Sequence, residues 1–213
     1  MSERMPDIID RLAAIAPGSH LDAIRARRPQ AREHAQKSFS ALFEPKDPGG
    51  VSARERFAVA AFVAGLHAEP ATHEFYRSRL SAVADASIGA ATAAEIARGR
   101  TQGPYGTWPA GPLSRENSVG LIYRVSDEGL RSLGARLAAA FEHAHLLVFR
   151  PRDADPAALQ ALLGAGWSTS AIVTLSQLVA FLSFQIRAAA GLRALAAAPA
   201  HASAIAVRDG EAP

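Results

Sequence analysis

The chain has 213 residues, 49% of them hydrophobic, a formal net charge of +3 and no cysteine. That length can bury a sizeable core, as one large domain or two small ones. The missing cysteines exclude disulfides, thiolate catalysis and cysteine–metal sites. Ala and Leu dominate the apolar residues and β-branched runs are few, so the expected fold class is all-α.

The first helix is predicted in "DIIDRLAAIA", with Pro6 where a first turn tolerates it and Pro17–Gly18 ending it. "SHLD" (Ser19–Asp22) reads as a capping box for a second helix, which Pro29 should kink or split. "RARRPQAR" (Arg25–Arg32) is the one basic cluster. It has no interleaved aromatic, so it reads as a solvated helix face and no nucleic-acid partner is expected. A helix then runs to Phe43, and "EPKDPGG" forms a loop.

"SARE" (Ser52–Glu55) is a second capping box. It opens a helix whose Phe57, Val59, Ala60, Phe62, Val63 and Leu66 make a face wide enough to be mostly buried. Pro70 starts the next helix, with Phe75, Tyr76, Leu80 and Val83, and the two read as an antiparallel hairpin. "TAAE" (Thr92–Glu95) reads as a third box opening a short helix. Gly99 to Ser118 is rich in Gly and Pro and has no helical period. A loop of about 20 residues inside a compact domain is unusual. Its Tyr105 and Trp108 suit a surface strap, a subunit contact or a substrate lid.

"VGLIYRVS" reads as a short extended segment, followed by a long helix from Asp127 to Phe149. Asp155 and Pro156 open a short helix that Gly164 and Gly166 end, and Ser168 caps the last long helix. Residues 1–198 are expected to form one domain, with 1–50 as a helical extension and 199–213 as a flexible tail. The N-terminus lacks a signal-peptide pattern. The apolar stretch "AIVTLSQLVAFLSFQI" is interrupted by Thr174, Ser176, Gln177, Ser183 and Gln185. It falls short of the ~20 residues of a membrane span, so no membrane partner and a cytoplasmic location are expected.

Two blocks carry a family resemblance. "ARERFAVAAFVAGLHAEPATHEFYRSRL" (Ala53–Leu80) and "ALQALLGAGWSTSAIVTLSQLVAFLSFQIRAAAGL" (Ala158–Leu192) resemble the carboxymuconolactone decarboxylase and alkylhydroperoxidase D-like superfamily, in its peroxidase-related branch. The resemblance implies an alkylhydroperoxidase D-like helical bundle that assembles into homo-oligomers. Redox members carry Cys-x-x-Cys and then His after the first helix. The corresponding "LHAEPATHEF" lacks both cysteines, so thiol peroxidase activity is not implied unless a Cys-bearing redox partner supplies the thiol. Decarboxylase members work without the pair, through acid/base groups in a pocket.

Glu55 has two compatible readings. It is the third residue of a capping box, and redox members use a Glu in this helix in a proton relay. His67 shares its helix face about 18 Å further along the axis, too far for direct contact. His67, His73 and Glu74 could form an acid/base cluster at the hairpin mouth, or helix-end imidazoles bonded to carbonyls. His143 and His145 point about 200° apart, so they cannot chelate one metal together and at most one should face a pocket. His143, beside Glu142, is a candidate acid/base group, with a satisfied core histidine as its alternative.

Ser176, Ala180, Ser183 and Arg187 share one face of the last helix. That face suits packing across a subunit interface with Arg187 paired to a carboxylate, or a pocket lining with Arg187 as an anion anchor. Tyr76, Tyr105 and Trp108 join these as pocket or interface candidates. No metal site and no cofactor are expected. The function expected is acid/base chemistry on a small organic acid or lactone, with a non-catalytic ligand-binding or assembly protein as the alternative.

Overall fold

In the computed structural model, which describes residues 7–198, the chain is all-α, with nine α-helices and no named strand among the described residues. The expected flexible tail (199–213) and the reading of Pro6 lie outside them. The helices are α1 (Ile8–Ala13), α2 (His20–Ala26), α3 (Pro29–Phe43), α4 (Ala53–Leu66), α5 (Pro70–Ser81), α6 (Ala86–Gly99), α7 (Asp127–Phe149), α8 (Pro156–Gly164) and α9 (Thr169–Ala197).

α4 is the axis of the molecule. Every residue from Glu55 to Leu66 is buried, and α3, α5, α6, α7 and α9 all pack on it. A helix that is apolar on all sides can sit only inside such a ring. The Ala-rich sequence lets the neighbours come close. A Cβ on Gly65 would meet Ile96 of α6 at 2.5 Å. Phe62 of α4 stacks on Phe141 of α7 with centroids 4.2 Å apart. Burial of each such ring contributes about 1.5–3 kcal/mol. α1 and α3 add Ile8, Ile9, Leu12, Phe39 and Phe43 to this same core, so the N-terminal segment shares it.

Local signals place most boundaries. Both halves of the Ser52–Glu55 capping box are present. Pro29 splits α2 from α3, Pro70 opens α5, and the Asp155 and Ser168 side chains cap α8 and α9. α7 bends at Gly134, whose φ of 76° favours a residue without Cβ. α9 runs for 29 residues and by length and composition could cross a membrane, although half of its most apolar window is buried in the chain. The helix therefore extends beyond the shorter apolar stretch measured in the sequence.

Four expectations are corrected. "TAAE" opens no helix, because α6 begins at Ala86 and Thr92 lies inside it, its hydroxyl donating to the Ile88 carbonyl at 2.8 Å. Glu95 is instead fully buried and accepts from Tyr123 Oη at 2.6 Å and Ser126 N at 3.1 Å. "SHLD" makes only half a box. Ser19 Oγ accepts from Asp22 N, while the Asp22 carboxylate accepts from Gly18 N at 2.9 Å and pairs with Arg32.

"RARRPQAR" is not wholly a solvated face. Arg25 and Arg32 turn inward to Asp7 and Asp10 of the α1 region, and Arg32 is only 5% exposed. Those acids lie far off in sequence, which hides the pairing from local pattern. "VGLIYRVS" forms no strand, and only Ser118 before it bridges, to Gly106. With no neighbouring strand its backbone has no ladder to join. The segment from 100 to 126 is thus one long strap, held down by Glu95 and broken only by the short 3₁₀ turn Pro112–Glu116.

Candidate functional site

A cavity of about 290 Å³ opens between the second half of α7, the start of α8 and the end of the strap. α7 contributes Ala139, Glu142, His143, His145 and Leu146, with Arg150 just past its end. α8 contributes Ala157, Ala158 and Ala161, preceded by its cap Asp155. The strap contributes Ile122, Tyr123 and Arg124. The size falls near the lower limit of small-molecule pockets, with the expected mix of apolar wall and a few convergent polar groups.

His143 is the most informative of these. It is 5% exposed, and its Nε2 meets Ser176 Oγ of α9 at 3.1 Å. Its Nδ1 is buried without a partner. Burial lowers its pKa, so the ring is neutral at neutral pH. With Nε2–H donating to Ser176, Nδ1 carries a lone pair that no described group takes up. His145 also borders the cavity, which corrects the expectation that at most one of the two would face a pocket. The cavity wraps from the α8 side of α7 to the Tyr123 ring, which stacks on His145 with centroids 4.7 Å apart. His145 Nε2 is engaged with the Gly99 carbonyl at 2.9 Å.

Charge lines the rim. Arg124 donates to Glu142 at 2.6 Å, and Arg150 pairs with Asp153 at 2.7 Å. A guanidinium has five N–H donors, more than one carboxylate takes up, so both arginines can still receive an anionic oxygen. Sequence reasoning passed over Arg124, Arg150 and Asp153. Their spacing is not periodic, and only the strap brings Arg124 to α7.

The other candidates lie elsewhere. Glu55 sits at the opposite end of α4 from His67. Its carboxylate accepts from Ser52 N and Oγ at 2.7 and 2.8 Å and from Arg136 Nε at 2.6 Å. Burial opposes its charge, but the Arg136 and Ser52 hydrogen bonds hold its pKa below the usual range. Arg136 also donates to the Gly50 and Gly166 carbonyls, and it lies 4.2 Å from the Trp167 ring centroid.

His67 caps the C-terminus of α4, with Nε2 buried and unpartnered. Burial and nearby Arg187 push its pKa down to about 4. His73 is half-buried on α5, and burial, Arg100 and Arg77 lower its pKa, while its neighbour Glu74 is taken by Arg77 at 2.7 Å. Tyr76 is buried and donates to the Gln185 side-chain carbonyl. Tyr105 shares a 2.8 Å hydrogen bond with Thr101. Trp108 lies under Arg152, 4.6 Å from the ring centroid, with Nε1 unpartnered. Ser183 is half-buried on α9, and Arg187 is exposed, without an ion pair among the described residues.

Of the four acid/base candidates, only His143 lines the cavity, and Ser176 reaches it through that ring. Among the described residues no group of three or more His, Asp or Glu side chains is arranged to hold a metal. No family model matches the chain. No curated protein matches it at a significant level either.

Proposed function

We propose that this chain is a Cys-less relative of the carboxymuconolactone decarboxylase and alkylhydroperoxidase D-like superfamily that takes a small organic acid or lactone into the α7–α8 cavity. His143 is its acid/base group. One observation carries the reading: a neutral imidazole, nearly fully buried, belongs to a residue that borders the cavity and keeps its Nδ1 without a partner. Buried polar atoms are normally satisfied, and an orphan at a cavity marks a place where a ligand atom belongs. A carboxylate seated on Arg150 or on Arg124 would lie in the cavity that His143 borders. The protein's part in the chemistry is then to hold the acid by its charge and to take or return one proton at Nδ1.

The reading is tested by NMR titration of the full chain with a panel of small carboxylic acids and lactones, following the imidazole resonances. Binding of a panel member should shift the His143 signals, and His143→Phe should weaken that binding at least about tenfold, as expected for a lost buried hydrogen bond. Equal binding by wild type and His143→Phe would falsify the assignment. Binding through His143 without turnover of any panel member would select the non-catalytic ligand-binding alternative.

A further inference from the structure

The outer face of α9 is built unlike a solvent face. Val173, Gln177, Ala180, Phe184, Arg187 and Gly191 are all exposed and follow one another at alternating spacings of four and three. That is the repeat of a coiled-coil seam. Val173 and Phe184 are 52% and 56% exposed. From Thr169 to Leu192 the helix has one charged side chain, Arg187, which lies near enough to another base, His67, to lower its pKa. Gly191 gives an independent indication. It lies inside the helix, where Gly costs about 1 kcal/mol against Ala. A Cβ there would meet nothing within 4 Å, so no contact among the described residues requires a glycine.

We propose that two copies of this chain pack antiparallel along α9, on a two-fold axis beside Leu182. Seated about that point, Phe184 meets the partner's Ala180 and Val173 meets the partner's Gly191, large against small at each step. Arg187 meets the partner's Gln177, whose side-chain carbonyl accepts from the guanidinium. Each pair forms twice, as an isologous interface demands. The glycine gains its reason, because the partner's Val173 occupies the space beside it. A parallel pair would place Arg187 on Arg187 and Gly191 on Gly191, a repulsion beside a void. A helix lying on a membrane would carry a basic polar face, which α9 lacks.

The absence of native cysteine makes the register directly testable. Sedimentation of the full chain at tens of micromolar should give a dimer. The double variant Val173→Cys/Gly191→Cys should cross-link into covalent dimers under mild oxidation. Those positions are about 27 Å apart within one helix, beyond disulfide reach. Val173→Cys alone should stay uncross-linked. Ala180→Glu, which sets two carboxylates against the seam, should yield a monomer with unchanged helical circular dichroism. A monomeric wild type overturns the proposal. Cross-linking by Val173→Cys alone would mean a parallel pair and overturns it too. So does a dimer that tolerates Ala180→Glu, or a monomer that floats with phosphatidylserine–phosphatidylcholine vesicles, which would give the face to a lipid surface.

Discussion

Two regions of the molecule treat buried ionisable groups in opposite ways. At the N-terminus of α4, Glu55 is surrounded by donors from Ser52 and Arg136. At the α7–α8 cavity, His143 has one nitrogen bonded and the other bare. Both groups are buried, and both sit where sequence pattern suggested chemistry. The contrast teaches that burial alone does not separate a brace from a reagent. An unmet hydrogen-bonding position on a residue that also lines a cavity does, as for His143 and not for His67. Glu55 joins the start of α4 to Arg136 of α7, which in turn holds the carbonyls of Gly50 and Gly166. Its charge is spent on that joint. His143 has a position to spare.

Substitutions can break this contrast, the largest effect first. Glu55→Ala leaves the Ser52 cap but removes the acceptor of the Ser52 amide, and strips a partner from Arg136. Losing that reciprocal hydrogen bond of the capping box costs about 1 kcal/mol. Breaking the ion pair costs less than the full buried-pair figure, because Arg136 is partly solvated and keeps two carbonyl acceptors. The expected total is about 3 kcal/mol, read from urea denaturation, with ligand binding at the cavity intact once the protein is folded. Glu95→Ala comes next. It leaves Tyr123 Oη and the Ser126 amide without their buried acceptor, at about 2 kcal/mol. Because those residues carry the strap over the cavity, it should also weaken ligand binding. Loss of stability without loss of binding would mean that the strap does not shape the pocket.

The pH dependence sharpens the contrast further. The pKa values of His67 and His143 are lowered in the folded state, that of His67 to about 4. The unfolded chain therefore takes up these protons first. Stability is full above the ordinary histidine pKa of about 6.5 and falls as the pH drops from there toward about 4. The pKa of Glu55 is lowered as well, so its contribution is full above the ordinary carboxylate pKa and is lost as the pH falls from there through its lowered value. The urea midpoint should thus begin to fall well before the carboxylates protonate. His67→Gln should flatten that slope. An unchanged slope would mean that His67 is solvated in the native protein. The smallest effect is Arg124→Ala. Its pair with Glu142 is 71% exposed on the arginine side, so the stability cost should be under about 0.5 kcal/mol. Weaker binding of a carboxylate to this variant would place the ligand's charge at the strap side of the rim.

Much of the fold was legible because its signals are local. Pro29, Pro70, Ser52, Asp155–Pro156 and Ser168 each act within one helical turn, and each stands at the boundary that its chemistry favours. The same local logic misread Thr92–Glu95. A Ser/Thr-x-x-Glu pattern marks a helix start only if the chain before it is not already helical, and α6 begins six residues earlier, at Ala86. The site was less legible. His143 could be named as a candidate, but Arg124 and Arg150 reach it from segments with no repeating pattern.

Composition and periodicity determined that this is an all-α protein, where its longer helices lie and that α4 is buried. Each of those follows from residues within a few turns of one another. The tertiary structure decided the pairing of polar groups. It turned Arg25 and Arg32 inward to Asp7 and Asp10, gave Glu55 to Arg136 and Glu95 to Tyr123, and left His143 Nδ1 without a partner. Helical pattern reports that a side chain faces inward. Which donor or acceptor waits there is set by helices distant in sequence.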